Sequence, residues 1–144
     1  MNIEIKSDPF HKDSPGLIER KVLRVVSECE MDHAVLFSSF EHHLIANLKR
    51  MAPQAVTGVL FNFFRDFGRL PSKLARRANA SVFICGKGEL RPAMMEDAHR
   101  NEIAVYVYTL NSVKDAQKMV QLDVQGIISD SADKIVPLVL GEKG

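Results

Sequence analysis

Two kinds of apolar pattern alternate along this chain. Short runs of consecutive apolar residues are separated by segments in which apolar residues recur every three or four positions. The first kind reads as strand buried on both faces, the second as helix with one covered face. The runs begin near residues 2, 34, 56, 81, 103 and 126, and after the first interval they recur every 22 to 25 residues. Such regularity predicts a repeated βα unit, and hence a parallel sheet covered by helices.

The predicted elements follow in order. Asn2-Ile3-Glu4-Ile5-Lys6 is a strand with both isoleucines on one face and Glu4 and Lys6 on the other. Ser14-Pro15 reads as cap and first residue of a helix over 15–29, with Leu17, Ile18, Val22, Val25, Val26 and Cys29 as its apolar stripe. A second strand over 34–37 precedes a helix over 41–51, which Ser39 is placed to cap and Pro53 to end. The third strand covers 56–61 and contains Gly58, and residues 62–68 read as an aromatic loop. A basic helix over 70–78 carries Lys73, Arg76 and Arg77. Strands over 81–85, 103–109 and 126–130 are interleaved with helices over 92–100 and 113–122, and a last helix or turn covers 133–140.

This order suits either an open doubly wound sheet or a (β/α)8 barrel. No glycine-rich phosphate turn follows any strand, and Gly86-Lys87-Gly88 lacks the P-loop spacing, which weakens a nucleotide-binding open sheet. The 144 residues fit a single domain with a real core. A net charge of +1 gives no electrostatic basis for binding nucleic acid. Cys29 and Cys85 have no metal-ligand spacing and are expected to be buried thiols in a reducing compartment. No apolar run reaches transmembrane length, and no secretory signal is present. The cytoplasm is the default location, although a missing N-terminus would take any signal with it.

In a parallel α/β fold, chemistry gathers at the carboxyl ends of the strands. The charges of Glu4 and Lys6 stand out there. In a barrel they point into the interior near its mouth, where a carboxylate wants a cation and an ammonium an anion. A divalent ion and a phosphate satisfy both. On an edge strand they would instead be a charged outer face that blocks aggregation.

Five segments, in this order, carry a resemblance. They are Asn2 to Lys6, Phe37-Ser38-Ser39-Phe40, Gly58-Val59-Leu60-Phe61, Val107-Tyr108-Thr109-Leu110-Asn111 and Gly126-Ile127-Ile128-Ser129-Asp130. Together they resemble the glycerophosphodiester phosphodiesterases from residue 2 to about residue 135. The resemblance implies a TIM-type (β/α) barrel and hydrolysis of glycerophosphodiesters to glycerol phosphate and an alcohol. It implies that Glu4 ligates a divalent metal, magnesium or calcium, and that Lys6 neutralises the phosphodiester. Phe40, Leu60, Tyr108 and Asn111 would bind substrate. Tyr108 stands where the family usually has tryptophan, and Ser131 follows Asp130 where it usually has proline. The family's first two strands, with their His-Arg-Gly, further metal carboxylates and catalytic histidines, have no counterpart here. The expectation is therefore an incomplete barrel of about six βα units, strands three to eight, inactive alone and binding metal weakly.

The remaining histidines do not replace that loss. His42 and His43 are adjacent on a helix and expected to face solvent, and His99 lies near a helix end. Only His11, just after Lys6, is placed near the mouth. The phenylalanines from Phe61 to Phe67 are expected to pack within core and loop, their exposed members offering a rim to a lipid-like substrate. As an alternative to catalysis, the open sheet edges suit an assembly module that pairs with a second copy or with a chain supplying the missing strands.

Overall fold

The computed structural model describes residues 1–7 and 15–139. The predicted cap Ser14 and the candidate His11 lie outside the described residues. Six strands form one sheet: β1 (Asn2–Glu4), β2 (Leu36–Ser39), β3 (Val56–Leu60), β4 (Val82–Gly86), β5 (Ala104–Tyr108) and β6 (Gly126–Ile127). All pairs are parallel and the spatial order is the chain order. A doubly wound sheet would reverse direction part-way, so the open-sheet alternative is excluded. The sheet curls into a half-barrel, an incomplete TIM barrel whose outer edges are β1 and β6.

Helices lie between the strands: α1 (Leu17–Glu28), α2 (His42–Met51), α3 (Phe63–Asp66), α4 (Pro71–Ala78), α5 (Pro92–Arg100), α6 (Val113–Gln121) and α7 (Ala132–Val139). The second strand begins two residues later than expected, because Asp32–Ala34 forms a 3-10 turn ahead of it. The expected aromatic loop contains α3, started by Asn62, whose side chain accepts from the amides of Phe64 and Arg65.

The strands' two faces bury different sets. Outward-facing Phe37, Val59, Phe83, Val105 and Val107 meet the helices, while Leu36, Leu60, Val82 and Ile84 fill the concave side. The strand register sets the concave layers. Glu4, Ser38, Gly58, Val82 and Ala104 stand side by side in one row, and Leu60, Ile84, Tyr106 and Gly126 in the next. Large and small residues alternate so that the layers interlock. Ile84 Cδ1 occupies the space a Cβ on Gly58 would need, 2.7 Å away, and the Tyr106 ring does the same over Gly126 at 2.6 Å.

Two expectations about α1 are corrected. Val25 is 56% exposed and Cys29 is exposed, while Glu19 is fully buried. The helix is rotated so that Glu19 faces α2, where its Oε1 accepts from Asn47 Nδ2 at 3.1 Å, and it ends before Cys29. Cys85 lies in the core as expected.

Candidate functional site

The carboxyl ends of β1, β2, β3 and β5 converge on a cleft of about 150 Å³. Asn2, Glu4, Phe40, Leu60, Tyr108 and Ile128 line it. Four residues expected at the site, scattered over more than a hundred positions of sequence, are thus brought together by the sheet. Alternation within each strand turns them inward, and the sequential strand order lays them around one mouth.

Glu4 and Lys6 lie two residues apart and so share a face. Lys6 Nζ is 3.3 Å from Glu4 Oε1, with the side chains 72% and 33% exposed. The pair sits on the lip of the cleft and is not submerged in the interior. Beneath Glu4, Ser38 is buried and its Oγ donates to Asn2 Oδ1 at 2.9 Å.

Ser7, next to Lys6, is fastened by contacts not foreseen from sequence. The backbone amide of Ser7 donates to Glu41 Oε1 at 2.9 Å, and its hydroxyl donates to both carboxylate oxygens. The Ser7 amide is the main cause that holds the Glu41 carboxyl below its ordinary value; the Ser7 hydroxyl, His43 and Arg65 act in the same direction against burial. Ser39, expected to cap α2, instead donates to the carbonyl of Ile5 at 2.7 Å and accepts from the Glu41 amide. Both contacts tie the end of β1 to the turn before α2.

Tyr108 gives the cleft an aromatic wall with a polar tip. Burial pushes its phenol up to about 12, with Glu89, Cys85 and Glu4 adding negative charge nearby. The phenol is a neutral hydrogen-bonding group at any ordinary pH. Asn111 does not reach the cleft. It donates to Asp130 Oδ2 and accepts from the Ser129 hydroxyl and the Asp130 amide, bracing the end of β5 to the segment after β6.

The described histidines, His33, His42, His43 and His99, place no acid or base at the mouth. His42, expected in solvent, is half-buried with Nε2 2.9 Å from the Leu60 carbonyl oxygen. His43 is exposed, as expected, and opens onto a different cleft. His33 lies at the opposite end of the sheet, and His99 is 3.7 Å from Asp123 on the far side of α5.

A magnesium or calcium ion needs about six or more oxygen ligands, several of them carboxylates in a tight site. Among the described residues no group of three His, Cys, Asp or Glu side chains converges to hold one. Glu4 is a single candidate ligand, so these residues do not by themselves fit the expected ion.

The parallel half-barrel fold is shared with known proteins. The sequence profile described as the Glycerophosphoryl diester phosphodiesterase family matches residues 1–134. The chain belongs to that family. A Caldanaerobacter subterraneus protein named glycerophosphodiester phosphodiesterase is 29% identical over 140 residues, 96% of this chain and 55% of its own length. A Bacillus altitudinis protein of the same name is 28% identical over 141 residues, with the same shares. A Silicibacter pomeroyi structure assigned as a glycerophosphoryl diester phosphodiesterase superposes with a TM-score of 0.81 at 22% identity, over 96% of this chain and 49% of that one. At that identity the superposition speaks for the fold alone. The chain spans about half the length of the curated family members it matches. No described helix is long and apolar enough to cross a membrane.

Proposed function

We propose that this chain forms the substrate-holding part of a glycerophosphodiester phosphodiesterase barrel. The observation that carries the proposal is the single cleft joining Glu4, Phe40, Leu60 and Tyr108, with Lys6 on its lip. The reaction would cleave a glycerol-linked phosphodiester to glycerol phosphate and an alcohol. An Oleispira antarctica phosphodiesterase of the same fold binds the product sn-glycerol-3-phosphate, with a TM-score of 0.74 and 18% identity over 96% of this chain and 54% of that one. That complex supports the same substrate class here.

Each residue has a role that follows from its place. Lys6, exposed on the lip, meets a phosphoryl oxygen and offsets charge gathered there in the transition state. Phe40 and Leu60 exclude water from the glycerol side, and the neutral Tyr108 phenol hydrogen-bonds the substrate. Glu4 holds the Lys6 ammonium in the absence of substrate and is released as phosphate takes its place. No described residue is placed to protonate a leaving alkoxide or to gather a divalent ion, so these residues alone would not turn over. Completion falls to strands joining the unpaired edges of β1 and β6, from a continuous chain, a second copy or another polypeptide.

Assaying this chain with glycerophosphodiesters, with and without magnesium or calcium, tests the proposal. Expected are no turnover and millimolar or tighter binding of sn-glycerol 3-phosphate, seen as NMR shifts at Lys6 and Tyr108. Robust turnover abolished by Glu4→Gln would overturn the inactivity. Unperturbed spectra at saturating ligand would overturn the site.

A further inference from the structure

Residues 63–70 read Phe-Phe-Arg-Asp-Phe-Gly-Arg-Leu, alternating aromatic and basic residues at a corner of the chain. Packing within the loop is the ordinary fate of such rings, but the structure leaves them out. Phe64 is 91% exposed and Phe67 66%, with Phe63 and Leu70 near 40%. The rings form one cluster, Phe63 meeting Phe64 and Phe67 edge to face with centroids 5.7 and 5.3 Å apart. The presentation is rigidly built. Asp66 is buried beneath, accepting from the Asn62 amide at 3.0 Å and from Arg69 Nη1 at 3.2 Å.

Cations stand on two sides of this corner. Arg91 stands over the Phe63 ring, its guanidinium carbon 5.8 Å from the centroid. Behind α3 runs a cleft of about 480 Å³ lined by Arg65, Arg69, Arg77 and His43. Its two carboxylates are already engaged, Asp66 by Arg69 and Glu41 by Ser7. Arg77 has no hydrogen bond or ion pair among the described residues. Arg65 gives one nitrogen to the Phe40 carbonyl at 3.0 Å, its one hydrogen bond from the side chain among the described residues.

We propose that this corner docks on the surface of an anionic phospholipid bilayer. Phe64 and Phe67 enter the headgroup boundary, and the arginines meet lipid phosphates. An exposed aromatic tip with Arg91 on one ring and an arginine-lined cleft behind it matches an interface that is apolar at depth and anionic at its surface. The corner follows β3, at the middle of the sheet and farthest from both open edges, so strands that close the barrel would not cover it. Phe40 lines both this cleft and the one holding Glu4, so docking would set the substrate mouth beside the membrane. This goes beyond the proposed hydrolysis by naming the surface at which the protein would work, and it is read without turnover.

The test is co-sedimentation of the full chain with vesicles of phosphatidylcholine alone and of phosphatidylcholine with one-quarter phosphatidylglycerol. The expected result is binding to the anionic vesicles that weakens as salt rises, with little binding to the neutral ones. Phe64→Ser/Phe67→Ser is expected to abolish binding, and Arg77→Gln/Arg91→Gln to weaken it by about fivefold per charge removed. These side chains are exposed, and circular dichroism checks that each variant folds. Ten-millimolar-scale inorganic phosphate separates a bilayer from a small-anion site: retained binding supports docking, and full release at constant ionic strength overturns it. Wild-type protein that ignores anionic vesicles, or a folded double serine variant that binds them unchanged, overturns it as well.

Discussion

The Tyr106 ring lies where a side chain on Gly126 would stand, and Ile84 holds the corresponding place over Gly58. Both contacts are between a residue on one strand and a glycine on a neighbouring strand. Gly58→Ala should therefore push on Ile84, which has no free space inside the concave layer. The expected cost is about 1–3 kcal/mol, read as a lower midpoint in urea unfolding. Gly126→Ala should cost less than Gly58→Ala, because β6 is an edge strand that can shift outward.

Glu4 and Lys6 test the difference between stability and binding. Their ion pair is largely solvated, so Lys6→Ala should change unfolding free energy by less than about 1 kcal/mol. The same substitution should weaken glycerol phosphate binding severalfold, measured by NMR titration. A stability loss as large as that of a core substitution would show that Lys6 acts in the fold and not at the site.

Two cysteines behave differently. Cys29 is exposed, and Cys85 is buried with its thiol pushed up to about 12 by burial, with Glu89 adding to it. A thiol reagent at neutral pH should label one cysteine quickly in native protein and the second only after denaturation. Fast labelling of both would show that the sheet opens beneath α5.

Tyr108 should remain protonated well above pH 10. A difference absorbance titration against Tyr108→Phe should show its phenolate forming near pH 12. The folded value is raised, so the contribution of this group to stability is complete below pH 10 and is lost as pH rises through 12. A phenolate appearing at pH 10 would mean that the cleft is open to water.

The Ser7 to Glu41 fastening has the opposite sign. The Glu41 value is lowered in the fold, so the contact is complete above its ordinary 4.5 and is lost as pH falls through the depressed value. Exchange of the Ser7 amide should accelerate over that acidic range, and Glu41→Gln should abolish the pH dependence.

The repeat of strand and helix was legible because the main helices are long enough to show their period and the apolar strand runs recur at regular spacing. The mouth residues were picked out by the family resemblance; alternation and the sequential strand order explain why four of them line one cleft. Other features depend on contacts that no period encodes. α3 has four residues, too few for an amphipathic pattern, and its exposed rings look like core in sequence. Ser7 and Glu41 meet across 34 positions. Glu19 is buried against Asn47 because α1 turns about its axis in packing on α2, which a charge in a helical stripe does not announce. Asn111 has the polarity of a substrate ligand, yet its hydrogen bonds go to the neighbouring strand end.

Every strand of this sheet lies beside its predecessor in the chain, and no segment is threaded between others. A cut between any two units of that order would not have to draw one segment out from between others. Growth from the amino end would also be orderly, each new unit finding a finished edge as it emerges. The barrel is in this sense modular, and dividing it between two pieces would require no rearrangement of either, only two edges able to find each other.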